Sequence, residues 1–139
     1  MIVLDTNVVS ELMRPVPNAR VVRWVDQFPT DEVFLTAVTA AELRYGVARL
    51  PKGRRARELA AKVRALLAED FQDQIMPFDD KAAEYYVQIA ASREQAGLPI
   101  SMGDAQIAAI CRCCRARLGT RNVKDFVDTG VHVEDPWNS

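Results

Sequence analysis

The chain has 139 residues, enough for one domain whose core needs no disulfide or metal staple. It is 49% hydrophobic and 27% charged with a formal net charge of −1, so bulk electrostatics does not mark a nucleic-acid binder and any attraction to phosphate must come from local clusters. No stretch approaches the ~18 apolar residues of a membrane span, and the N-terminus lacks a signal-peptide pattern, so a cytoplasmic protein with no membrane partner is expected.

The elements alternate between short apolar runs and longer amphipathic segments, the pattern of an α/β fold with a mostly parallel sheet. Ile2–Asp5 reads as the first strand, followed by a short helix that ends before Pro15 and Pro17. Ala19 to Phe28 is helical, with Val21, Val22, Val25 and Phe28 on one side, and Val33–Thr36 reads as the second strand. Thr39 is expected to open a helix that runs to about Leu50 and is closed by Pro51 and Gly53. Arg54 to Asp70 places Leu59, Val63, Leu66 and Leu67 at helical spacing, with basic residues opposite. Ile75–Phe78 is a third strand, short or at an edge because of Pro77. A helix from Asp79 to Ala96 carries Ala82, Tyr86, Ile89, Ala90 and Arg93 in line and is stopped by Gly97. Ser101 opens a helix to about Arg115, Ala116–Thr120 is a strand, Val123–Phe126 a helical turn, and Val131–Glu134 the last strand. The expected product is a three-layer α/β/α sandwich of four or five mostly parallel strands, with residues 1–139 as one domain.

Four acids stand out. Asp5 ends an apolar strand, where the ligand crevice of an open parallel sheet lies, and an acid there must be solvated, paired or metal-bound. It also suits the cap of the following helix. Glu42 has a strong structural role open to it, since Thr39-Ala40-Ala41-Glu42 has the form of a capping box. Ser101-Met102-Gly103-Asp104 has the related pattern, and Gly103 is expected to admit close packing or a ligand. Asp125 follows a strand and is as readily a solvated loop acid paired with Arg121 or Lys124. Carboxylates gathered together raise one another's pKa unless a cation neutralises them. An all-oxygen set without histidine suits Mg²⁺ or Mn²⁺ better than zinc, and such a site can assist displacement at a phosphodiester.

Two basic clusters are candidates for phosphate: Lys52, Arg54, Arg55 and Arg57, and Arg112, Arg115, Arg117, Arg121 and Lys124. The thiols Cys111, Cys113 and Cys114 are too few and too clustered for a disulfide framework or a zinc site with the single His132. Cys111 and Cys114 are expected in the core and Cys113 outside it. The helix pair Thr39–Leu50 and Arg54–Asp70 offers Leu43, Val47, Leu50, Leu59, Val63, Leu66 and Leu67, more apolar surface than one sheet face covers, and the remainder is expected to form a groove for an amphipathic segment.

Together, Leu4-Asp5-Thr6-Asn7, Val38 to Gly46, Ile100 to Ala109 and Thr120 to Phe126 resemble, in order and spacing, the PIN domain, and within it the VapC/FitB-type toxins of bacterial toxin–antitoxin pairs. The resemblance spans Met1 to about Trp137 and implies a Mg²⁺-dependent endoribonuclease, with Mn²⁺ able to substitute, that dimerises and is silenced by a cognate antitoxin. It makes Asp5 and Asp104 the principal metal ligands, adds Glu42 directly or through water, and gives Asp125 a second or transient metal. Thr120 and Asn122 would shape the site, and Thr6 or Asn7 would support Asp5. Cys111–Cys114 depart from a stretch where such proteins more often carry alanine.

A phosphatase of the haloacid-dehalogenase type also begins with an apolar strand ending in Asp, but its second acid is replaced here by Asn7. The non-enzymatic alternative, a PIN-like module that only binds RNA or protein, would not need all four acids.

Overall fold

The computed structural model describes residues 1–139. The strands are β1 (Ile2–Leu4), β2 (Val33–Thr36), β3 (Ile75–Met76), β4 (Arg117–Gly119) and β5 (Val133–Glu134). They form one parallel sheet in the order β3-β2-β1-β4-β5. β1 is central, pairing Ile2 with Val33 and Arg117, and Val3 with Phe34 and Leu118. The chain builds outward from β1 to β3, then returns to the other side of β1 for β4. That reversal opens a crevice at the carboxyl ends of β1 and β4.

The helices are α1 (Thr6–Leu12), α2 (Ala19–Asp26), α3 (Ala37–Ala48), α4 (Arg54–Ala65), α5 (Asp80–Gln95) and α6 (Met102–Cys114). Alternation along the strands sends side chains to two cores. Ile2, Leu4, Val33 and Leu35 face α1 to α4, where Val9, Trp24, Leu43 and Val63 fill the layer. Val3 and Leu118 face α5 and α6, where Ile89, Ile107, Ala108 and Cys111 close the other side. This is the expected three-layer sandwich, with five strands. Gly119 is required by this packing, because a Cβ there would collide with the Trp24 ring.

The local signals explain most boundaries. Asn18 caps α2 by accepting the N–H of Arg20 at 2.8 Å, and Asp79 caps α5 by accepting that of Ala82 at 3.0 Å. Gly97, at φ +73°, ends α5 in a Schellman turn, with Gly97 N–H donating to Glu94 C=O and Leu98 N–H to Arg93 C=O. β3 is short and at the sheet edge, as Pro77 implied.

Some expectations need correction. α3 starts at Ala37, two residues before Thr39, because the Thr36 hydroxyl accepts the Thr39 N–H at 3.1 Å and makes Thr36 the cap. The Arg54–Asp70 segment is α-helical only to Ala65, after which Leu66–Asp70 widens into a π-helical turn. A Cβ at Gly103 would meet only Val38 Cγ1 at 3.9 Å, an ordinary contact, so packing does not demand that glycine. Leu43, Val63 and Leu67 are buried and Val47, Leu59 and Leu66 pack against them, so most of the apolar surface of the helix pair is core. What remains open is a cavity of about 280 Å³ lined by Val47, Ala60, Val63 and Leu67 between Arg44 and Arg64, and a second of about 570 Å³ on the α1 side lined by Leu43, Val47, Leu59 and Val63 among polar residues. Cys111 is buried, with its thiol pushed up by that burial, and Cys114 packs partly buried against the same core as expected, while Cys113 is only partly exposed.

Candidate active site

Asp5 stands one residue past β1, its N–H still donating across the ladder to Gly119 C=O at 2.9 Å. The parallel register therefore sets Asp5 beside Thr120, the residue after β4. Asp5 is only 6% exposed. Its Oδ1 accepts the Thr6 N–H at 2.8 Å, and its Oδ2 accepts the Thr120 hydroxyl at 2.7 Å. Asn7 braces the same corner: its Nδ2 donates to Thr120 Oγ1 at 3.3 Å, and its Oδ1 accepts the Arg121 N–H at 3.2 Å. The Asn122 N–H donates to Thr120 Oγ1 at 3.1 Å, so Asn122 enters the network through its backbone.

Glu42 lies one turn into α3 and reaches α1, not the start of its own helix. The Thr6 hydroxyl donates to Glu42 Oε1 at 3.1 Å and lies 3.1 Å from Thr39 Oγ1. The expected capping box is therefore absent, because Thr36 caps the helix and Glu42 is left free for the crevice. Asp104 is in the first turn of α6. Ser101 caps that helix by accepting the Asp104 N–H at 3.2 Å, as its sequence pattern implied, and its side chain also acts on the Asp104 carboxyl, opposing the rise that burial causes. Asp125 rides on the helical turn Val123–Phe126, half-buried, and is paired with neither Arg121 nor Lys124.

The electrostatics of these acids differs from that of a structural carboxylate. Glu11 accepts the Asn18 N–H at 2.9 Å and is paired with Arg14, and these contacts hold its carboxyl below the usual value. Burial instead pushes Asp5 up, against the bonds from Thr120 and Thr6, with Asp104 and Asp125 adding to the rise. Burial also raises Glu42, with Asp5 and Asp104 contributing, and raises Asp104, with Asp125 contributing. Asp5, Glu42 and Asp104 thus feel neighbouring acids across one crevice, and none of the four acids forms an ion pair with a cation of the chain. They do not close into a ready chelating set of three. A hard cation that keeps several waters and takes only one or two carboxylates fits this arrangement better than one needing a complete protein cage.

Arg93 is the residue that sequence reasoning passed over, placing it only in the line of α5's apolar face. It is 5% exposed. Its Nε donates to Leu98 C=O at 2.6 Å, and its NH1 donates to Asp125 C=O at 2.9 Å and Val127 C=O at 2.7 Å. One guanidinium thereby ties the loop that leads into α6 and Asp104 to the turn that carries Asp125. Its charge also acts on Asp104, lowering the carboxyl against the larger effect of burial. The only signal in the sequence was an arginine where the α5 stripe calls for an apolar residue.

The PIN domain profile matches residues 2–123. Toxin FitB of Neisseria gonorrhoeae is 39% identical over 138 residues, covering 99% of each chain. The VapC ribonuclease Y4jK of Sinorhizobium fredii is 33% identical over 137 residues, covering 99% of this chain and 98% of the relative. The crystal structure of FitAcB from Neisseria gonorrhoeae superposes with a TM-score of 0.93 at 39% identity, covering 100% of both chains. A switch-point crevice, an acid at the end of β1 and a sequence match over most of the chain all agree: the chain belongs to the PIN domain family.

Proposed function

We propose that this crevice is the active site of a metal-dependent endoribonuclease, the toxin of a toxin–antitoxin pair, with residues 1–139 acting as one cytoplasmic unit. The observation that carries this reading is the shared crevice of Asp5, Glu42 and Asp104. All three are pushed up in pKa, and none is neutralised by the protein. Uncompensated anions of this kind call for a cation, and oxygen-only donors favour Mg²⁺ or Mn²⁺. Such an ion supplies charge neutralisation at the phosphoryl oxygens and lowers the pKa of a water.

The chain's own residues do the positioning. Thr120 and the Thr6 N–H hold both oxygens of Asp5, and the Thr6 hydroxyl aims Glu42. Arg93 holds the segments bearing Asp104 and Asp125 at one spacing. The names of the relatives, a toxin and a ribonuclease, agree with this reading. The partner is an antitoxin, as in the toxin–antitoxin complex from Klebsiella pneumoniae that shares the fold, and we assign its apolar segment to the 280 Å³ cavity beside Val47 and Val63. A homodimer or larger assembly with that antitoxin is part of the same proposal.

The phosphatase alternative fails on Asn7, whose amide is committed to Thr120 and Arg121 and is not acidic enough to protonate a leaving group. A module that only binds would not need acids held at raised pKa. The test is hydrolysis of RNA by purified protein freed of contaminating ribonuclease. Activity should require Mg²⁺ or Mn²⁺, vanish in EDTA and return on adding the metal, leaving mapped internal cuts with 5′-phosphates. Cleavage that persists in excess chelator would overturn the reading.

A further inference from the structure

The two basic clusters of the sequence meet different fates. In the later one, Arg112 lies over the Tyr85 ring at 5.0 Å and Arg121 over Trp137 at 4.8 Å. Arg117 covers Phe28 at 5.1 Å and pairs with Glu134 at 2.8 Å. These three cations are engaged by the fold, while Arg115 and Lys124 of the same cluster are exposed and unpaired but line no part of the space beside Glu42. α4 keeps its charge: its one acid, Glu58, is held by Arg54 at 2.9 Å, while Arg55, Arg57, Lys62 and Arg64 are exposed and make no ion pair. Arg55 and Lys62 are seven residues apart, hence on one face and ~10 Å apart along the helix axis. Both line a cavity of about 570 Å³ whose walls also include Thr6, Glu42, Met13 and Leu59. Glu42, the one crevice acid on this wall, therefore shares a space with the unpaired cations, and the other carboxylate there, Glu58, is already held by Arg54.

A phosphodiester strand entering this crevice meets several carboxylates, and a chain of net charge −1 offers no general attraction to offset them. Screening limits help to cations within about 8–10 Å, so the compensating charge must adjoin the acids. We propose that Arg55 and Lys62 bind backbone phosphates of the RNA strand beside the bond that is cut, making the cavity between α3 and α4 the track by which that strand leaves the acidic crevice. The assignment rests on the ribonuclease reading and adds to it the residues that supply phosphate affinity. The contacts are to backbone, so they set affinity and register and leave base preference to other groups.

The test is the double variant Arg55→Gln, Lys62→Gln, whose two sites are exposed and whose melting temperature should match the parent. A labelled single-stranded RNA oligonucleotide is titrated by fluorescence anisotropy in EDTA across a salt series, and cleavage is followed in Mg²⁺. Two lost single-strand phosphate contacts should reduce the slope of log K against log salt by about 1.4. KM should rise tenfold or more with kcat little changed. Arg57→Gln, off the cavity, should keep the parental slope. An unchanged slope and KM in the double variant, with the parent active, would overturn the track while leaving the ribonuclease reading intact. So would an equal effect from Arg57→Gln, which indicates diffuse attraction, or loss of antitoxin binding with RNA affinity untouched. A parent that neither binds nor cuts RNA would remove both proposals.

Discussion

The Thr120 hydroxyl gives its only proton to Asp5 Oδ2, at 2.7 Å, while both of its lone pairs are occupied by Asn7 Nδ2 and the Asn122 N–H. A hydroxyl so saturated cannot rotate away, so Asp5 is held as an acceptor in one orientation. Thr120→Val keeps the shape and removes the donor. Asp5 then loses a bond that opposes the effect of its burial, and its carboxyl should rise further. The acid limb of the activity profile should move to higher pH, with activity reduced at neutrality. Thr120→Ser should restore most of both. Parental activity and an unshifted limb in the valine variant would show that Asp5 does not depend on this bond.

Removing charge from the crevice should have different consequences at its two principal acids. Asp104→Asn relieves repulsion and leaves the helix cap intact, because the cap uses the Asp104 backbone N–H. In EDTA its melting temperature should rise. Asp5→Asn cannot satisfy both neighbours: whichever way the amide turns, its NH₂ faces either the Thr6 N–H or the Thr120 proton. A buried bond left unmade costs about 1–3 kcal/mol, which offsets the relief. Asp5→Asn should therefore melt below Asp104→Asn, and both should be inactive. Thermal denaturation in chelator ranks them, and the reverse order would refute the assigned hydrogen-bond directions.

Glu42 and Thr36 separate catalysis from capping. Glu42→Gln retains an acceptor for the Thr6 hydroxyl and touches no cap, so stability should hold while cleavage falls by a large factor. Thr36→Ala removes the real cap of α3 and should cost about 1 kcal/mol. Urea unfolding and cleavage assays on the two variants should show opposite patterns. A Glu42→Gln protein as active as the parent would return Glu42 to a structural role.

Asp5 was legible because a carboxylate directly after an apolar strand has to be solvated, paired or bound to a cation, and the parallel sheet did place it at the crevice. Glu42 was harder, since Thr36 and Thr39 each precede a plausible first turn; the Thr36 hydroxyl takes the cap, and only the tertiary contact with Thr6 shows where Glu42 points. Asp104 read correctly as first-turn residue and Ser101 as its cap, a purely local matter. Arg93 left almost no trace. Its partners are main-chain carbonyls, and two of the three, at Asp125 and Val127, are more than thirty residues away, so no spacing or residue type announces them. The widening of the helix at Leu66–Asp70 was likewise invisible, because its residues keep ordinary helical periodicity.

The raised acids and the lowered Glu11 give stability opposite pH dependences. A carboxyl whose folded pKa exceeds its unfolded one opposes folding above the folded pKa, and that opposition disappears as pH falls below the unfolded value. Asp5, Glu42 and Asp104 are of this kind. Glu11 is the reverse: it supports folding above its unfolded pKa and loses that support as pH falls through the folded one. In metal-free buffer, the advantage of Asp104→Asn over the parent should be greatest at neutral pH and vanish in acid. The deficit of Glu11→Gln should vanish there too. Melting curves over pH measure both. An Asp104→Asn advantage that grows on acidification would contradict the raised carboxyl. Activity should fall on the same acid side, because protons compete with the cation for these carboxylates.

Arg93 tests whether the site depends on spacing rather than on the acids alone. Its guanidinium spans Leu98, Asp125 and Val127, which a lysine ammonium at the end of a different stem cannot bridge with the same fork. Arg93→Met leaves buried carbonyls without donors and should destabilise by about 2 kcal/mol or more. Arg93→Lys should fold better, preserving the charge near Asp104 while loosening the Asp125 turn. The informative readout is therefore the lysine variant, assayed below its melting temperature. Its kcat should fall with KM near the parental value, since the phosphate-binding surface of α4 is untouched. Raising the Mg²⁺ concentration should recover part of the loss, as a looser set of acids needs more cation to fill. A lysine variant with parental kcat and parental metal dependence would make Arg93 a stabilising residue only, with no part in setting the geometry of the crevice.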